Sequence, residues 1–120
     1  MVEFALLLPL VLVLTFGAIT FTVGLYNKAI MTYASRQAVR AWAVTKPILS
    51  KDSVQQIAAS FCQSQMISFG VNAPACVPLA VGPELPVPGD VLTVSISLNF
   101  TGIYIFKDLQ VNAQTSMKFE

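Results

Sequence analysis

The apolar and polar positions set one long N-terminal segment apart from everything that follows. From Phe4 to Tyr26 the chain reads FALLLPLVLVLTFGAITFTVGLY, and no charge falls between Glu3 and Lys28. Apolarity all round a helix of this length marks a segment surrounded by lipid or by other helices. The next stretch, Asn27 to Val44, is alanine-rich and free of Pro and Gly, with Pro47 the first breaker beyond it. One helix over about residues 2–45 is therefore predicted, about 64 Å long at 1.5 Å per residue. Its second half reads as amphipathic. Tyr26, Ile30, Tyr33 and Ala34 share one side, Ala41 and Trp42 broaden it, and Lys28, Arg36 and Arg40 point away.

Beyond Pro47 the periodicity changes twice. Val54, Ile57, Ala58, Phe61, Cys62 and Met66 form a helical stripe within Val54–Phe69, with Ser50 or Asp52 as the cap and Gly70 as the stop. Residues 71–90 carry five prolines and two glycines and read as an extended connection with polyproline II character. Strict alternation then sets in. Leu92, Val94, Ile96, Leu98 and Phe100 oppose Thr93, Ser95, Ser97 and Asn99, and Leu109 to Phe119 repeats the pattern. The fold class is α+β. A long N-terminal helix and a second helix join an antiparallel strand pair that covers the amphipathic helix half. Residues 1–26 form the apolar half of the helix and 27–120 a small domain. Between the strands lies GIYIFKD, an apolar connection that packs on its own domain or on a neighbour. Asn99-Phe100-Thr101 fits a glycosylation pattern that arises readily by chance.

Composition narrows the chemistry. Only 11% of the 120 residues are charged, against about 25% in a soluble domain. A net charge of +1 gives no electrostatic case for nucleic acid. The absence of histidine removes the commonest general base and metal ligand. No metal site, cofactor or catalytic residue is expected. Lys, Asp or Ser chemistry stays as a remote enzymatic alternative. Cys62 and Cys76 are either two buried thiols or, in an oxidising compartment, one disulfide. A loop of that length is worth about 3 kcal/mol in the chain-entropy model.

No Lys or Arg precedes the apolar segment, so it does not read as a removable signal. Lys28, Arg36, Arg40 and Lys46 all follow it. The positive-inside rule would place that side in the cytoplasm, whereas a disulfide would place it outside. A basic leader, cleaved from a position before Met1, reconciles the two. Within the segment Pro9 removes one backbone hydrogen bond. Gly17 and Gly24, seven residues apart, allow close helix approach. Thr15, Thr20 and Thr22 can return their hydroxyls to the helix backbone and need not mark a pore.

VEFALLLPLVLVL, followed by YNKAIMTYASRQAVRAWAV, resembles the TadE-like pilins, small subunits of the tight-adherence branch of type IV pili. The resemblance rests on the Glu3-Phe4-Ala5 opening, Pro9 in the Leu-rich run, and the Ala34–Ala41 motif ASRQAVRA. It covers about the first 45 residues; Met117–Glu120 fits the family's closing tail. It implies a structural subunit that polymerises through its apolar helix into an adhesive filament. Glu3, with Phe4 beside it, would then set register by pairing with a neighbour's N-terminal amine. The bland alternative is that Glu3 only complements the positive end of the helix dipole. The implied partners are further copies or other pilins, a prepilin peptidase, an inner-membrane assembly platform and a cytoplasmic ATPase. The implied path runs from the inner membrane to an extracellular filament. The competing expectation is a non-polymerising, single-pass anchored binding protein.

Overall fold

The computed structural model describes residues 1–45, 49–65, 76–100 and 109–119, with residues 99, 100 and 109 described by backbone alone. Helix α1 spans Val2–Val44 as one 43-residue element, with Pro9 inside it. The sequence holds no second breaker before Pro47, and the helix ends at Thr45, whose N–H donates to the Ala41 carbonyl. The molecule measures 71 × 26 × 17 Å, and its long dimension is that of the helix. The threonines of the apolar half bond back one turn: Thr15 to the Val11 and Leu12 carbonyls, Thr20 to Phe16, Thr22 to Ala18.

Helix α2 spans Lys51–Gln65. The Ser50 hydroxyl accepts from the Ser53 N–H at 3.3 Å, so Ser50 and not Asp52 is the cap. Val54, Ala58 and Cys62 are buried against α1, whereas Phe61 stays exposed and meets Tyr33 edge-to-face at 6.2 Å. Met66 and Gly70, expected to close this helix, lie outside the described residues, as do the connection GIYIFKD and Thr101 of the N-x-T pattern.

The sheet has three antiparallel strands in the order β1 (Val77–Val81), β2 (Val91–Phe100), β3 (Leu109–Lys118). The strand pair expected from alternation is β2 and β3, in register Val94 opposite Thr115 and Ile96 opposite Ala113. Strand β1 falls in the stretch expected to be an extended connection with polyproline II character, and is instead paired in the sheet. Pro78 sits in it because β1 is an edge strand, where a missing N–H need break no ladder. Leu92, Val94, Ile96 and Leu98 are fully buried and form the middle of the core. Each such side chain contributes about 1.5–3 kcal/mol relative to exposure.

The buried stripe of α1 differs from the expected one by a single helical step. Asn27, Met31, Ala34, Ser35, Ala38, Val39 and Trp42 are buried, while Tyr26 and Tyr33 are 43% and 49% exposed. Ala34, Ser35 and Ala38 stand between the larger Met31, Val39 and Trp42 on the buried stripe, and at about 100° per residue Tyr26 and Tyr33 fall on the opposite side of the helix. Ser35 is satisfied inside: its hydroxyl bonds the Thr32 carbonyl and the Thr115 hydroxyl, the latter at 2.6 Å. Trp42 Nε1 is buried without a hydrogen-bond partner among the described residues.

A clasp joins the β1–β2 connection to the end of β3. Gly89 N–H donates to the Phe119 carbonyl and Phe119 N–H to the Asp90 carbonyl, both at 2.8 Å. The Asp90 carboxylate accepts from Val87 N–H at 2.8 Å. Gly89 has φ +103°, a conformation that costs other residues steric strain.

Candidate assembly face of the long helix

Among the described residues, the N-terminal half of α1 has little packing against its own chain. Phe4, Leu6, Leu10, Leu14 and Phe21 are each more than half exposed. The first fully buried side chain is Thr20. A contiguous apolar surface of this extent exceeds what a monomer ordinarily leaves in water. The helix is long and apolar enough to cross a membrane, and that property is compatible with membrane anchoring.

Glu3 lies in the first turn, exposed, and Met1 at the N-cap makes no side-chain capping bond. The backbone N–H groups of a first turn lack partners within the helix and favour a carboxylate nearby. Phe4 follows it, 70% exposed. Pro9 sits one turn further, where its ring leaves the Ala5 carbonyl without the usual donor.

Gly17 and Gly24 continue the stripe of Thr20, Asn27 and Met31, spaced by three and four residues, and so stand on the domain-facing side of the helix. Gly24 lines a groove of about 270 Å³ between α1 and β3, with Phe21, Leu25, Lys28, Gln110 and Asn112 around it. A Cβ placed on Gly24 would touch nothing within 4 Å. The glycine therefore leaves open space where a larger residue would stand.

Cys62 on α2 and Cys76 at the start of β1 form a disulfide, with Cα atoms 6.4 Å apart. It ties the second helix to the edge of the sheet across the proline-rich connection. At the distal end, where α1 stops, a cleft of about 550 Å³ is lined by Leu49, Ser50, Lys51, Asp52, Glu84 and Leu85. Sequence reasoning missed this cleft, because its two carboxylates are 32 positions apart and only the β1–β2 connection brings them together. Among the described residues no group of three or more His, Cys, Asp or Glu side chains is placed to hold a metal ion.

A single exposed apolar helix half runs continuously into a helix half packed under a small disulfide-bonded α+β domain. The sequence model of one family, described as TadE-like protein, matches residues 1–40. Over that span the match supports the resemblance carried by Glu3, Phe4, Pro9 and the start of the Ala34–Ala41 motif. Neither a curated protein nor a solved structure gave a match.

Proposed function

We propose that this chain is a structural, pilus-associated subunit of the tight-adherence type, polymerising through α1 into a surface filament. The observation that carries the proposal is the division of α1 itself. One half packs on its own domain, and the other presents apolar side chains that the described residues leave exposed. In the membrane those side chains would meet lipid; in a filament they would meet the same half of other copies. The TadE-like match over residues 1–40 supports the same reading. A structural role, without catalysis, follows from it.

Glu3 then acts in register. A carboxylate taken into an apolar bundle is heavily penalised alone, and the penalty is offset when it meets an ammonium group such as a neighbour's N-terminal amine. Phe4 packs in the same bundle, Pro9 sets the course of the helix, and the open space at Gly24 admits a neighbour. Maturation by a prepilin peptidase and extrusion from an inner-membrane platform driven by a cytoplasmic ATPase belong to this proposal. So does passage from membrane to extracellular filament, where the filament serves adhesion.

The test is Glu3→Ala and Glu3→Lys in producing cells, with sheared surface filaments measured against membrane-fraction protein. Loss of filaments, with membrane insertion and the Cys62–Cys76 disulfide retained, is expected. Normal filaments from Glu3→Ala would remove the register role. A second reading, a non-polymerising anchored binding protein, draws on the outward side chains of β1, where Val77, Leu79 and Val81 are each more than half exposed. A detergent-soluble monomer, with no filaments by electron microscopy from wild-type cells, would favour it.

A further inference from the structure

The exposed side of the domain half of α1 carries Ala29, Tyr33, Arg36 and Arg40. At about 100° per residue this is the side on which Ala18, Thr22 and Leu25 of the lower half also lie. Neighbouring helices that pack along that side meet the two guanidinium groups next. Arg36 and Arg40 are adjacent on the helix surface, being four residues apart. Neither makes an ion pair among the described residues, and α1 holds no Asp or Glu other than Glu3. A guanidinium drawn into a contact between copies needs a carboxylate there.

The same chain offers that partner at its far end. Asp52, in the first turn of α2, and Glu84, in the β1–β2 connection, line the distal cleft together. They too make no ion pair among the described residues. Leu49 and Leu85 supply apolar walls for an arginine stem, and the carboxylates suit a guanidinium fork. Lys51, which lines the same cleft, offsets one of the two carboxylate charges and leaves the other. The cleft lies at the end of α1, because α2 starts just beyond Thr45 and Gly82, two residues before Glu84, faces Trp42.

We infer that the distal cleft of one copy receives Arg36 or Arg40 of a second copy displaced along the helix axis. From the midpoint of the two arginines to Val44 is six residues, so the displacement is about 9 Å. This contact rests on the polymerisation reading and refines it. The apolar bundle supplies the association, and the charge pair fixes the axial offset between domains.

The test uses the full chain in producing cells, reading sheared filaments against total membrane protein and a non-reducing gel for the disulfide. The double variant Arg36→Glu with Arg40→Glu, and separately Asp52→Lys with Glu84→Lys, should each lower filament yield at least about tenfold, as for loss of a close charge pair. The milder Arg36→Gln with Arg40→Gln should lower it in the same direction with the domain intact. All four reversals together should restore assembly. Independently, Arg40→Cys with Glu84→Cys should give an oxidant-dependent ladder of cross-linked copies from filaments. Wild-type yield from either reversed pair, no recovery in the fourfold variant, or cross-linked monomer alone would overturn the inference. Those results leave polymerisation standing if wild type forms filaments and Glu3→Ala does not. Absence of wild-type filaments would remove the polymerisation reading itself.

Discussion

Gly82→Ala places a methyl group where the core has no room for one. A Cβ at residue 82 would stand 2.9 Å from Trp42 Cη2 and 3.1 Å from Leu92 Cδ2. Both neighbours are fully buried, so neither ring nor isobutyl group can swing into solvent to relieve the contact. Overpacking of this kind costs about 1–3 kcal/mol. Removing glycine's freedom in the unfolded chain returns about 0.4–1 kcal/mol. The net expectation is a destabilisation of roughly 1–2 kcal/mol. For a domain of this size that lowers Tm by about 5–10 °C. Thermal unfolding of the full chain in detergent micelles, followed by far-UV circular dichroism, measures it. Trp42→Phe supplies the control, because phenylalanine lacks the atom nearest the new methyl. In that background the Gly82→Ala penalty should shrink, the mark of direct coupling between neighbours. A Gly82→Ala protein at or above wild-type Tm, or an equal penalty in both backgrounds, would refute the packing argument.

Reducing the Cys62–Cys76 disulfide should cost about 3 kcal/mol for a loop of this length, read as a drop in the urea midpoint between oxidised and reduced protein. Ser35→Ala removes the partly buried bond to the Thr115 hydroxyl and should destabilise by about 1 kcal/mol. Thr115→Val in the Ser35→Ala background should then cost less than alone. Ser50→Ala strips the cap from α2 and should cost about 1 kcal/mol in thermal unfolding, whereas Asp52→Asn should change stability little.

The long helix was legible because nothing in residues 10–46 breaks it and uniform apolarity gives way to amphipathicity without a turn signal. Strands β2 and β3 were legible from alternation, which the buried Leu92, Val94, Ile96 and Leu98 follow residue by residue. The buried face of α1 was misplaced for a physical reason. In an alanine-rich helix several faces are nearly equally apolar, and Ser35 and Asn27 enter the buried one although polar. Ranking by apolarity favoured Tyr26 and Tyr33 instead. Strand β1 was hidden by Pro78, which only its place at the sheet edge makes tolerable. For the candidate site, Glu3 and Phe4 are local features and can be read from the chain. The Asp52–Glu84 cleft depends on how a connection folds back, which no short-range pattern records.

The unbroken run of α1 through the junction near residue 26 has a consequence for how such a chain can vary. A surface loop absorbs an inserted residue by bulging. A helix shared by two bodies has no such slack. One residue added between Thr22 and Asn27 would turn the domain by about 100° and raise it about 1.5 Å relative to the apolar half. Every contact between copies that depends on both halves would then be misaligned together. Sequence change in this protein is therefore expected to fall in the β1–β2 connection and at the distal tip, while the spacing from Glu3 to Trp42 behaves as a fixed length.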